Sequence, residues 1–177
     1  VFFGIQRVMN DVASDDQSSY FPYTDGLAYW KEGDPTITDL DPATCPNFLV
    51  SMIDENGNGT NDMLLPAATG DPATVGQYGL SLTSMPYAVC DAAGGIYLVY
   101  SSIAETYHNT VQNYRRLYAL KSTDGGANWI GPMDLLKADA AHDYDECINA
   151  SIARDEDSKI HLVYQADAEP GNTLGAD

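Results

Sequence analysis

Oxygen ligands concentrate in Asp54-Glu55-Asn56-Gly57-Asn58-Gly59-Thr60-Asn61-Asp62. Asp54, Asn56 and Asn58 stand at alternate positions and match the start of an Asp-x-[Asp/Asn]-x-[Asp/Asn]-Gly cation loop. Alternation brings such oxygens to one side of a tight loop. Gly59 allows the bend that returns the Thr60 carbonyl and Asp62 toward the same point. The predicted set for Ca²⁺ is therefore Asp54, Asn56, Asn58, Thr60 and Asp62. This is no EF-hand, because the twelfth position is Leu65 where a bidentate Glu is needed, and both flanks read as strands. Two carboxylates make a weak site, suited to the millimolar Ca²⁺ found outside cells. A metal-free Asn-Gly hairpin turn fits the same residues. A second acidic run holds Asp139, His142, Asp143, Asp145 and Glu146. It reads either as a solvated loop or as a binding loop between structural units. Arg115 and Arg116 stand side by side at the head of a strand-like run.

The elements that must hold these residues are strands. Helical periodicity is nearly absent, and Gly, Pro, Asp and Asn interrupt short β-branched or aromatic runs. The pattern predicts strands over 48–53, 62–65, 87–91, 96–103, 116–122, 148–154 and 160–165. The run Tyr97-Leu98-Val99-Tyr100 is apolar throughout, as for a strand covered on both faces. The first 45 residues are less regular, but their aromatics predict a packed segment. An internal repeat orders the rest. Asp91-Ala-Ala-Gly-Gly-Ile96-Tyr97-Leu98-Val99-Tyr100 matches Asp155-Glu-Asp-Ser-Lys-Ile160-His161-Leu162-Val163-Tyr164, with Asp91 and Asp155 64 positions apart. Each copy reads as a hairpin, which cannot bury its own faces, so the copies must stack on neighbours. His161 takes the place of Tyr97 and is expected to pack.

Between the two hairpins lies Ser122-Thr123-Asp124-Gly125-Gly126-Ala127-Asn128-Trp129. This resembles the Asp-box, Ser-x-Asp-x-Gly-x-x-Trp, of the sialidase-like β-propellers, with Ser122, Asp124, Gly126 and Trp129 at its defining positions. The residues themselves predict a tight turn. Asp124 accepts from the turn's own amides, a glycine supplies the positive φ, and Trp129 covers the turn. The resemblance spans roughly residues 85–166. It implies an all-β fold of β-propeller blades, each of four antiparallel strands, with the Asp-box joining the third and fourth. Propellers have about 4–8 blades, so the chain is expected to hold only part of one. The implied organisation is 1–45 as the irregular segment or the end of a preceding blade, 46–85 as a partial blade with the Asp/Asn-rich loop, 86–138 as a full blade, and 139–177 as the start of the next. Catalytic members carry three substrate-binding arginines, a Tyr–Glu nucleophile pair and an acidic general acid. The family's Phe/Tyr-Arg-Ile-Pro start is not matched by Phe3-Gly4-Ile5-Gln6-Arg7, so no catalytic residue is carried over.

Composition limits the partners. The chain has 26 acidic and 8 basic residues in 177, a net charge of −18. Phosphate backbones need clustered Lys and Arg, so nucleic acid is excluded, and anionic membrane surfaces are disfavoured. No apolar run approaches a membrane span. Cys45, Cys90 and Cys147 allow at most one internal disulfide and form no zinc motif. No signal peptide is visible and the chain does not start with Met, which reads as a mature or truncated product. The expectation is an extracellular or cell-surface propeller that binds a protein or glycan on its face, within a larger surface assembly or alone. The alternative is a sialidase-type glycoside hydrolase with most of its catalytic residues elsewhere.

Overall fold

The computed structural model describes residues 1–9, 14–15, 19–21, 24, 26–36, 44–45, 47–59, 80–154 and 159–171. It is all-β and antiparallel. Strands β1 (Phe2–Gly4), β4 (Leu27–Tyr29) and β5 (Phe48–Val50) form one sheet in the order β1-β4-β5. β2 (Arg7–Met9) pairs with β3 (Ser19–Phe21). β6 (Thr83–Cys90), β7 (Ile96–His108), β8 (Asn113–Ser122) and β9 (Ile130–Asp134) form a four-stranded meander in chain order. A short 3-10 turn, Ala140–His142, leads to the hairpin of β10 (Glu146–Arg154) and β11 (Ile160–Asp167). Among the described residues the sheets do not close into a ring, and no helix is long and apolar enough to cross a membrane.

The meander is the middle layer of the molecule. Leu98, Tyr100, Tyr118 and Leu120 point to one face, where they meet Leu27, Phe2, Leu49 and Val50 of the first sheet. Val99 and Leu117 point to the other, against Cys147, Ala150, Ile152, Leu162 and Tyr164 of the last hairpin. Leu98 and Leu117 are fully buried on opposite faces, and each such side chain stabilises by about 1.5–3 kcal/mol relative to exposure. Both faces need cover, which is why the run 97–100 shows no polar alternation.

The two repeat copies form hairpins of the same register. Cys90 pairs with Ile96 and Arg154 with Ile160; Ala88 pairs with Leu98 and Ile152 with Leu162. The register shifts between Ser84 and Tyr87 in the first and between Ile148 and Ser151 in the second. Within those bulges Met85 has φ 54° and Asn149 has φ 51°. A left-handed non-glycine residue is uncommon, so its recurrence 64 positions on marks one structural unit used twice. A bulge bends its strand and sharpens the twist, which lets each hairpin wrap over the sheet it covers.

Among the described residues of 1–45 there are four strands of three residues each, too short to stand out as apolar runs. The strand over 62–65 lies outside the described residues, as does the Asp155 turn. His161 is exposed rather than packed, and Cys90 is also exposed, while Cys45 and Cys147 are buried. All three cysteines are free thiols. Burial pushes the Cys147 thiol up to about 12.

Candidate functional site

A cavity of about 570 Å³ opens where the start of the 54–59 loop meets the ends of β7 and β9 and the middle of β8. The loop is tied down in two ways. Ile53 makes a parallel bridge to Ala104, and β7 is irregular between Ile103 and His108, which brings Glu105 round to the loop backbone. Glu105 is 2% exposed, and its Oε1 accepts from the amides of Glu55 at 2.5 Å and Asn56 at 3.3 Å. Glu55 reaches back across the same junction. Its Oε2 accepts from the Thr106 amide at 3.1 Å and the Thr106 hydroxyl at 2.6 Å, and its Oε1 accepts from the Tyr118 hydroxyl at 3.1 Å. Burial first, and then the Glu55 carboxylate, push the Tyr118 hydroxyl far above its usual range, so it remains a proton donor. Tyr107, Pro132, Met133, Asp134 and Lys137 complete the walls.

The two arginines are internal. Arg115 and Arg116 are both 0% exposed. The Arg115 guanidinium donates to the carbonyls of Leu82 at 3.1 Å and Ser81 at 3.0 Å, and its amide donates to the buried Glu146 carboxylate at 2.6 Å. Arg116 donates to the His142 carbonyl at 3.1 Å and to Asp134 at 3.3 Å, while its guanidinium lies 3.9 Å from the Tyr107 ring centroid. The acidic run 139–146 therefore does structural work. Asp139 caps the 3-10 turn, His142 Nδ1 pairs with Asp145 at 2.8 Å, and Asp143 approaches Arg116 at 3.9 Å.

The 54–59 loop closes on itself. Asp54 Oδ1 accepts from the amides of Gly57 and Asn58, and Oδ2 from that of Gly59; Asn56 Oδ1 accepts from the Asn58 amide. These amides, that of Gly59 foremost, hold the Asp54 carboxyl below its usual range. Gly57 and Gly59 have φ 72° and 80°, as the bend requires. Thr60 and Asp62 lie outside the described residues.

The 122–129 segment is the tight turn that joins β8 to β9. Ser122 Oγ accepts from the Gly126 amide at 2.8 Å and donates to Asp124 Oδ1 at 2.8 Å. Asp124 accepts from the Asn128 amide at 2.9 Å and the Asn128 side chain at 2.7 Å. The Trp129 indole and the Tyr29 hydroxyl both donate to the Gly126 carbonyl, at 3.1 and 3.2 Å. Thus a strand of the first sheet clips the turn of the second. No protein-family model, curated protein or solved structure matches the chain.

The Asn128 side chain above all, then its amide and Ser122, hold the Asp124 carboxyl down at about 2, against 3.8 unperturbed. A depressed carboxyl stabilises the fold above its unfolded value, and that gain is lost as pH falls through about 2. Asp124→Asn mimics the protonated acid. Its unfolding midpoint is expected below wild type at pH 6, with the gap narrowed at pH 2 and closing below it. A gap of equal size at both values would show that charge plays no part in the turn.

Of the described residues singled out in the sequence, Asp54 alone lines the cavity; Asn56 and Asn58 belong to the same loop without lining it, and Ser122, Asp124, Gly126 and Trp129 belong to a separate turn. Glu55, Glu105, Tyr107 and Tyr118 were not legible as site residues. The available signal was Glu105, the one charged residue in the otherwise uncharged run 96–106.

Proposed function

We propose that the chain belongs to an extracellular or cell-surface Asp-box β-propeller and acts as a non-catalytic module that binds a glycan or a protein. The stacked sheets, the two hairpins of equal register and the 122–129 turn support the propeller reading. One observation carries the non-catalytic reading: the guanidiniums of Arg115 and Arg116 are fully buried, line no part of the cavity and donate to protein oxygens, so neither can clamp a substrate carboxylate there. The cavity instead presents carboxylates and hydroxyls already fixed by hydrogen bonds, which is the preorganisation that binding needs. The test is to probe glycan and secreted-protein arrays with the labelled protein, and to incubate it with sialyllactose and aryl glycosides. Capture of a ligand without sugar release is expected. Release of sugar would contradict the reading.

One observation favours the sialidase-type alternative: Tyr118 donates to Glu55 at the cavity, a tyrosine–glutamate pair. Against it, Tyr118 is 2% exposed, and its raised hydroxyl opposes the ionisation that an attacking oxygen needs.

We also propose that the 54–62 loop takes Ca²⁺, weakly. The support is the ligand type: the loop sets carboxylate and carboxamide oxygens at Asp54, Asn56 and Asn58, the hard donors that Ca²⁺ takes, around a bend made by Gly57 and Gly59. At a Ca²⁺ concentration of about 100 times the dissociation constant, stability should rise by about 2.7 kcal/mol. Asp54→Ala should remove most of that rise. Equal thermal midpoints in Ca²⁺ and in chelator would leave the loop as a self-capped turn.

A further inference from the structure

We infer that the ligand of the 570 Å³ cavity is an uncharged saccharide, an inference that rests on the binding-module reading and narrows it. A sugar presents hydroxyls that donate and accept, and ring faces of apolar C–H. The cavity offers both complements. Asp54, Glu55 and Asp134 line it, and each is already held by the protein: Asp54 by the amides of 57–59, Glu55 by Thr106 and Tyr118, and Asp134 by the Leu136 amide and Arg116. A carboxylate has about four acceptor positions, so each keeps capacity for a hydroxyl without having to be reoriented. Lys137 is exposed and supplies donors at the rim. Tyr107, pinned by the Arg116 guanidinium, and Met133, 47% exposed, supply surface for C–H faces.

Charge decides the class. Three carboxylates against one ammonium give the named lining a negative field, on a chain of net charge −18, so an acidic sugar is repelled. The same field draws a cationic ligand such as a basic peptide, so that class is the competitor that the titration below separates, and the pull on it is limited by the partners that two of the carboxylates already have. Asp134 is already paired with Arg116 at 3.3 Å, and Asp54 is already stabilised by three amides, which leaves Glu55 as the carboxylate among the three served by neutral side chains. Hydroxyls need free lone pairs rather than uncompensated charge.

The test is isothermal titration calorimetry with cellotetraose, xylotetraose, mannotetraose and lacto-N-neotetraose, alongside 3′-sialyllactose and tetralysine. At least one uncharged tetrasaccharide should bind, and the two charged probes should not. Glu55→Gln should weaken that binding about tenfold, as expected when a charged acceptor is lost. Lys137→Ala, at an exposed position that the fold does not need, should weaken it about threefold to tenfold through a lost donor. Binding that both variants leave unchanged puts the sugar elsewhere and overturns the inference. Binding of sialyllactose or tetralysine alone, or array capture of a protein with no sugar binding at all, overturns it while the module reading stands. Cleavage of a probe, or no binding on either the calorimeter or the arrays, overturns both.

Discussion

Arg116→Ala is expected to destabilise the protein by about 3–5 kcal/mol, the usual cost of removing one partner of a buried ion pair. The side chain is 0% exposed and joins three segments at once: Asp134 at the end of β9, the His142 carbonyl in the 3-10 turn, and the Tyr107 ring at the end of β7. Truncation leaves Asp134 with a charge and no cation, opens a void beside Tyr107, and strands a carbonyl. Arg116→Lys should recover only part of the loss, because an ammonium cannot reproduce the planar fork that spans the carbonyl and the carboxylate while stacking on a ring. Urea unfolding of the three proteins measures this. A loss under about 1 kcal/mol for the alanine variant would show that the guanidinium is dispensable to the fold, and would return it to the list of residues available for a ligand.

Trp129→Ala is expected to cost about 3 kcal/mol, at the lower end for a buried aromatic because the ring is only partly covered. The indole meets Phe2 edge-on at 5.8 Å and Tyr29 at 6.2 Å between ring centroids, and its N–H closes the turn on the Gly126 carbonyl. Both rings belong to the first sheet, so the tryptophan joins two sheets as well as capping its own turn. Trp129→Phe should keep the ring contacts and lose the hydrogen bond, at about 1 kcal/mol. If alanine and phenylalanine variants unfold alike, the turn's hydrogen bond is what matters, and the inter-sheet contact is not.

The parts of this fold that can be read in the sequence are those that local chemistry dictates. Asp124 and its glycines specify a turn wherever they are placed, and Leu98-Val99-Tyr100 announces a strand with two covered faces. The 64-residue repeat even carried its bulge: Asn149 is a type that tolerates a positive φ, but Met85 at the equivalent position gives no such sign. The cavity could not be read in this way. It depends on the bridge between Ile53 and Ala104 and on the irregular stretch of β7 that turns Glu105 toward the loop, and such long-range pairing leaves no trace in spacing. The same holds for the arginines. Their positions at the head of β8 were visible, but only the packing of the 3-10 turn and the last hairpin shows that both point into the protein. Asp54 was singled out for its oxygens, whereas its neighbour Glu55 is the residue that the fold presents to the cavity.

Where a ligand lands on the protein decides between a binding cavity and a solvated cleft. The measurement is a ¹H–¹⁵N chemical-shift titration of the labelled protein with the tightest ligand that the arrays return. The amides of Glu55, Thr106, Tyr107, Asp134 and Lys137 are expected to shift together and saturably, those of Asp124 and Asn128 in the β8–β9 turn to stay fixed, and the ligand spectrum to be unchanged after prolonged incubation. Shifts centred instead on the 139–145 run, or ligand signals that give way to those of a hydrolysed sugar, would contradict a non-catalytic site at this cavity.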